Sequence, residues 1–344
     1  MKAAVFFEHG GPDKIQVTDV PKPQPGSRQA LVNVKACGLN YFDLQVLHGW
    51  TPLDWSFPFW GGGDIAGVIA EVGNDLESFK PGDRVIVFPG LFCGQCEYCI
   101  AGEESLCVNY GIIGDTIPGG CAEFVAANES NLIHLPDDIS FEEAAAVPLV
   151  FQTAWRALVT QARIRAGEDI LILGASGGVA TAAIQIAKLA GARVFAVTST
   201  PQKAQQAQKL GADICLNRND GDYWTILAEL TNHRGVDVVL DSVGTATWEN
   251  SLKSLAKGGR LVTIGRTTGN IGETNLRLVF WHQLHIIGST MANRKEFFDV
   301  MQLVFQHRLR PVIDSVFPLE QAQLAYQRLD TGEQFGKVII RISD

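Results

Sequence analysis

Apolar positions are spaced in two different ways along the chain. Up to about residue 148 the apolar runs are short, as in ALVNVKA, IAGVIAEVG and DRVIVFPG, and Gly and Pro punctuate them. Runs of that kind read as strands of an irregular, mostly antiparallel domain. From about residue 150, apolar runs alternate with segments of helical spacing. The runs are Ile170 to Leu173, Arg193 to Thr198, Asp213 to Leu216, Val236 to Asp241, Arg260 to Gly265 and His285 to Thr290. Six strands with crossover helices predict an α/β doubly wound parallel sheet. Pro201 to Leu210 is one such helix, with Pro in its first turn and Gly211 just past its end. After Thr290 the spacing predicts a helix over ANRKEFFDVMQLVFQHR and a closing strand, GKVIIRI.

Length and charge narrow the class. A chain of 344 residues suits two domains of about 150 residues each. Its 46% hydrophobic and 19% charged residues are a globular balance, and a net charge of -9 argues against nucleic acid or an anionic membrane as the main partner. The expected partner is a small molecule. MKAAVFFEHGG lacks the basic, apolar, small-residue succession of a secretory signal, so a cytoplasmic, reducing setting is expected. The longest uncharged run, Ile170 to Ala187, has GASGG at its centre and reads as strand, turn and helix rather than a membrane span.

Four of the seven cysteines lie in LFCGQCEYCIAGEESLC, at C-x2-C-x2-C-x7-C spacing. In a long cytosolic chain such a cluster points to metal rather than disulfides. Cys93, Cys96, Cys99 and Cys107 would give four thiolates, which complete tetrahedral zinc and leave no position open for water or substrate. That site would be structural. An iron–sulfur cluster also takes four cysteines, but its usual spacings differ. Cys37, Cys121 and Cys215 sit in apolar contexts and read as buried filler.

The first strand-to-helix turn of the parallel sheet, ILILGASGGVATAAIQ, has Ala175, Gly177 and Ala180 in the places of the three glycines of G-x-G-x-x-G. Gly177 would let backbone approach a pyrophosphate at the helix N-terminus, with Ser176, Gly178 and Val179 beside it. An NAD enzyme would place an acid at the end of the second strand, where this chain reads AVTSTPQK. Thr198 and Ser199 with Lys203 and Arg218 would instead hold a 2′-phosphate, so NADP(H) is expected; each cation taken alone also reads as a surface charge.

From KAAVFFEHGGPD through GVIAEVG, FKPGDRV, the cysteine cluster and GGVATAAIQIAK to QFGKVII, the whole chain resembles the zinc-type medium-chain dehydrogenase/reductase superfamily. The resemblance implies a GroES-like, mainly antiparallel domain from residues 1–149 and 289–344, with a zinc lobe at about 90–110. It implies a Rossmann domain over 150–288, an active site in the cleft, and homodimers or homotetramers. One structural zinc per chain would lie on the four cysteines. Thr153 would sit beside the nicotinamide and Lys337 near the phosphates or ribose, with Ser242 and Gly265 completing the cofactor set.

The alcohol dehydrogenases of that superfamily bind a second, catalytic zinc, and its ligands are missing here. GLNYFDL puts Asn40 at the first ligand position, GGDIAG puts Gly63 at the histidine position with Asp64 following, and PLVFQT puts Leu149 at the third. An amide, a hydrogen and an isobutyl group do not hold zinc. Phe42 and Gln45 replace the proton relay, so alcohol oxidation lacks its Lewis acid and its base. The remaining resemblance is to zinc-independent quinone oxidoreductases and enone reductases, whose acceptors are already electrophilic. Asn40 would bond the cofactor ribose or an acceptor oxygen, and Tyr41 is a proton-donor candidate that also reads as a packed ring. Asp64, with Asp43, reads either as an acid/base group or as a structural pair. Trp50, Trp55, Phe57, Phe59 and Trp60 either pack a loop or line a site for a small apolar electrophile. An alcohol dehydrogenase and a non-catalytic NADPH-binding protein are the competing readings.

Overall fold

A computed structural model describes residues 1–50 and 56–343; Trp55 lies outside the described residues. The chain forms two compact units, Met1–Leu149 with Asn293–Asp344, and Val150–Ala292. The second unit runs through Ala292 rather than ending at Gly288. Ser289 N–H continues the last ladder by donating to Thr263 O at 3.0 Å, and Met291 Sδ accepts from Thr153 Oγ1 at 4.0 Å.

In the first unit, the strands Ile313–Pro318, Lys337–Arg341, Gln29–Leu39, Asp64–Val72, Arg84–Val87 and Leu132–His134 lie side by side in that order, and Phe124–Asn128 also pairs with Gln29–Leu39. All these pairings are antiparallel except that of Ile313–Pro318 with Lys337–Arg341. Alternate residues of the strands, among them Val32, Val34, Ile65, Val85 and Val87, meet Leu44, Leu47 and Tyr326 in one buried core. The register sets Leu39 opposite Val338 and Gly38 opposite Asp64. Asn40, Asp64 and Lys337 therefore emerge at one end of three adjacent strands.

Two local features fix that end. A Cβ on Gly38 would lie 2.1 Å from Ala145 O, so only glycine lets the helix Phe141–Ala145 lie against the strand and bring Leu149 over it. The helix Tyr41–His48 begins at once after Asn40 and stops at Gly49, whose φ of 72° is left-handed.

The second unit is a six-stranded parallel sheet in the order Ile214–Asn217, Arg193–Thr198, Asp169–Ile172, Val236–Asp241, Leu255–Thr263, His285–Gly288. The order turns back at Asp169–Ile172, the switch point where such sheets bind ligands at their carboxyl ends. Helices cover both faces, which is why the strands read as unbroken apolar runs. Leu171, Phe195, Val239 and Leu261 are among the buried residues of its core. Among the described residues no helix is long and apolar enough to cross a membrane.

Candidate functional site

The first unit carries a buried polar cluster. Asp64 Oδ2 accepts from Lys337 Nζ at 2.7 Å and from Asn40 Nδ2 at 3.0 Å, while Oδ1 accepts from Leu149 N–H at 2.7 Å. Lys337 Nζ also donates to Asn40 Oδ1 at 2.6 Å. A buried ion pair is tolerable only with such full hydrogen bonding. Asp43 does not pair with Asp64. Its carboxylate accepts from Asn40 N–H at 2.7 Å and Gly62 N–H at 2.6 Å, and burial pushes its pKa up to about 6 against the pull of those N–H groups and of Lys337. Lys337, assigned from resemblance to cofactor phosphates or ribose, is engaged by Asn40 and Asp64 inside this unit. Tyr41 is half-buried against the core, and burial raises its phenol pKa.

Position 63 is closed as well as vacant: a Cβ on Gly63 would lie 2.9 Å from Ile113 O. Of the aromatic run, Phe59 is core. Trp60 packs against Ala3, Val5, Val20 and Ala122 and donates to Gly119 O at 2.9 Å. Only Trp50, stacked on His48 at 4.6 Å, and Phe57 are exposed among the described members.

The cysteine lobe is a second centre in the same unit, closed by the ribbon of Gly90–Leu91 with Gly111–Ile112. The sulfur atoms of Cys93, Cys96, Cys99 and Cys107 all lie within 4.8 Å of one another. Tetrahedral zinc with Zn–S of about 2.3 Å needs sulfurs roughly 3.8 Å apart, and Cys93 and Cys99 lie at 4.0 Å. Backbone N–H groups point at the sulfurs, Cys96 N–H to Cys93 at 3.3 Å and Cys93 N–H to Cys107 at 3.3 Å. Such donors from Cys99 and Val108 lower the Cys96 thiol to about 6, while burial and the neighbouring thiols push Cys99 up to about 12, as expected of sulfurs crowded together that share their protons until a cation takes their place. The residues fit zinc. Among the described residues they are the one group of three or more Cys, His, Asp or Glu side chains that converge in this way.

In the second unit the strand Asp169–Ile172 leads into Gly174, left-handed at φ 60°. Ala175 N–H then bonds Val197 O at 3.0 Å and Gly177 N–H bonds Gly174 O at 2.9 Å. Gly177 precedes the helix Gly178–Leu189 without any side-chain cap, which leaves first-turn N–H groups of the Ser176–Val179 segment for an anion. A Cβ on Gly177 would meet nothing nearer than Gly174 O at 3.5 Å, so the glycine keeps space free above the turn. Ser242 lies near Gly174, and a Cβ on Gly265 would stand 2.8 Å from Ser242 O; Gly265 thus serves strand packing as well. Thr153 is buried beside Met291.

At the end of Arg193–Thr198, the Thr198 hydroxyl is buried and has no hydrogen-bond partner among the described residues, and Ser199 follows half-buried. Thr200 caps the next helix through Lys203 N–H at 3.2 Å. Arg218 is held by its N–H on Thr198 O at 2.9 Å, with its side chain exposed. Thr198, Ser199, Lys203 and Arg218 share one corner of the sheet, two hydroxyls and two cations, with Lys203 buried and Arg218 exposed.

Spacing along the chain gave no hint of the Leu149 N–H contact or of Lys337 in the polar cluster. The available signal was a lysine opening an apolar strand, KVIIR, where a charge must find a partner on burial.

Comparison with known proteins matches residues 26–137 to the alcohol dehydrogenase GroES-like domain and residues 178–306 to the zinc-binding dehydrogenase domain. An acryloyl-coenzyme A reductase of Metallosphaera sedula is 33% identical over 99% of this chain and 99% of its own. A quinone oxidoreductase of Rattus norvegicus is 32% identical over 99% of this chain and 97% of its own. The crystal structure of an NAD-dependent alcohol dehydrogenase superposes with a TM-score of 0.96 at 40% identity, covering 100% of both chains.

Proposed function

The chain belongs to the zinc-type medium-chain dehydrogenase/reductase family and is an oxidoreductase of it, and from that premise we propose an NADPH-dependent reductase of quinones or carbonyl-activated alkenes, with zinc in a structural role only. The observation that carries this reading is the Lys337 ammonium, held at 2.6 Å from Asn40 and 2.7 Å from Asp64. A cation seated between the residues at and beside two former ligand positions repels a second cation. Gly63 and Leu149 offer no donor side chain in its place. An acceptor that needs no Lewis acid, because its own carbonyl activates it, suits such a site. A reduced nicotinamide, when bound, supplies the hydride.

The chain's own residues then have separable tasks. Ser176, Gly178 and Val179 present backbone N–H groups to the pyrophosphate, on a turn closed by the Ala175 and Gly177 N–H bonds. Thr198, Ser199, Lys203 and Arg218 receive the 2′-phosphate by charge and hydrogen bond, where an acid would repel it. Thr153, Ser242 and Gly265 border the nicotinamide half of the cofactor. Asn40 is the candidate donor to the acceptor oxygen, and Tyr41 is the candidate hydroxyl for returning a proton. Cys93, Cys96, Cys99 and Cys107 hold one zinc, which ties the lobe and takes no part in turnover. Seven cysteines outside any disulfide fit a reducing, cytoplasmic setting, and exposed Phe280 and Trp281 shortly before the edge strand His285–Gly288 fit a homodimer or homotetramer.

The deciding experiment is NADPH oxidation across quinones, enones, enoyl thioesters and aldehydes, repeated with NADH, alongside zinc content. Turnover of the first three classes with about one zinc per chain is expected. Turnover confined to aldehydes and alcohols, lost with a removable second zinc, would make the protein an alcohol dehydrogenase. Tight NADPH binding without any turnover would make it a non-catalytic binder.

A further inference from the structure

Asn40 is held in one amide orientation by the chemistry of its two neighbours, Lys337 and Asp64. A lysine ammonium has only donors, and an ionised carboxylate has only acceptors. With Lys337 Nζ at 2.6 Å on one side of the amide and Asp64 Oδ2 at 3.0 Å on the other, the amide oxygen must face lysine and the nitrogen must face aspartate. Turning it over would set N–H against ammonium and oxygen against carboxylate. One N–H of Nδ2 is used on Asp64, and the other is left for a further acceptor. An ammonium bonded to the amide oxygen draws electron density through the group and strengthens that remaining donor. All three are buried, Asn40 the least, at 6% against 3% for Lys337 and 0% for Asp64, and Asn40 keeps an N–H that is not committed within the trio.

We infer that Lys337 is a positioning residue that locks and polarises the Asn40 amide as donor to the acceptor's carbonyl oxygen, with Asp64 as the counter-ion that keeps the ammonium buried. The inference rests on the reading of the protein as a reductase of quinones or activated alkenes. In that reaction hydride adds to the carbon conjugated with the carbonyl, the π electrons shift onto the oxygen, and a proton from water or a side chain completes the product. Between those events the oxygen carries negative charge, and a fixed N–H donor lowers its energy without having to reorganise.

The test uses an oxyanion that reports its own ionisation. 4-Nitrophenol is titrated with the wild-type protein in the presence of NADP⁺, and the colour of the bound ligand gives its apparent pKa. The expected result is a pKa lowered by about one unit or more on binding, abolished in Asn40→Leu and mostly lost in the charge-neutral double variant Lys337→Met with Asp64→Asn. In turnover, Asn40→Leu should lose about 100-fold in kcat and the double variant about tenfold, with KM for NADPH unchanged in both. Lys337→Arg keeps a buried cation and donor, so it folds even where the double variant does not, and it should retain part of the shift. Absence of a shift in the wild type, an undiminished shift in the double variant, or a shift lost from Lys337→Arg as completely as from Asn40→Leu would overturn the inference. A purely structural Lys337 would lower the melting temperature while the folded molecules kept the full shift. If the wild type oxidises no NADPH with any quinone or enone, the proposed function fails, yet the titration still decides the role of the amide.

Discussion

Asp43 provides a test in which stability should change with pH in a direction opposite to that of an ordinary salt-bridged carboxylate. It is buried, and burial outweighs two backbone N–H bonds and the Lys337 charge to lift its pKa from 3.8 to about 6. An acid with a higher pKa in the folded state contributes stability that is fully present below the unfolded value and is lost as pH rises through the folded one. The difference, about 2 units between 3.8 and about 6, corresponds to roughly 3 kcal/mol at 1.36 kcal/mol per unit. Asparagine cannot ionise; its amide nitrogen opposes one of the two N–H donors at a cost that is the same at every pH, so Asp43→Asn should be less stable by a constant amount and lack the pH-dependent loss. Urea unfolding of both proteins at half-unit steps from about pH 4 to about pH 7 measures this. The unfolding free energy of the wild type should fall relative to the variant by roughly 3 kcal/mol over that window and level off above it. A carbon-13 carboxyl signal present in the wild type and absent from the variant should titrate near 6. A difference that does not vary with pH, or a carboxyl signal already ionised at about pH 5, would refute the reasoning, for it would mean that Lys337 and the two N–H groups outweigh burial.

Three further outcomes follow from the site geometry. Cys96→Ser should lower zinc affinity more than about 100-fold while leaving NADPH affinity unchanged, as metal analysis and a fluorescence titration would report; loss of both together would give the zinc a role beyond its lobe. Arg218→Ala should weaken NADPH binding about 10- to 100-fold, the worth of a charge-assisted hydrogen bond, with NADH little affected, and Ser199→Asp should move the kcat/KM preference toward NADH. Installing Asn40→Cys, Gly63→His and Leu149→Cys together should not add a second zinc. The position-63 Cβ would stand 2.9 Å from Ile113 O and the Lys337 ammonium would remain in the site, so a second zinc on metal analysis would contradict this account.

The four-cysteine cluster and the glycine-containing strand-to-helix turn were legible in the sequence because each is built within a short stretch of chain. Cys93 to Cys107 and Gly174 to Gly178 take their geometry from local turns and a helix start, and residue type and spacing fix most of that. The alternation of apolar runs with helices likewise determined the parallel sheet, since no other packing buries such runs on both faces. The aromatic run shows the limit: Phe59 and Trp60 are packing residues while Trp50 and Phe57 are exposed, and composition is the same for both outcomes. The polar cluster lay beyond sequence reasoning. Lys337 meets Asn40 and Asp64 across 297 and 273 positions of chain. A slip of one residue in either strand pairing would turn those side chains to the opposite face. Register is set by the whole apolar core, so the residues at positions 40, 63 and 149 could be read from the chain, but the joining of Asn40, Asp64 and Lys337 was decided only when three strands came together.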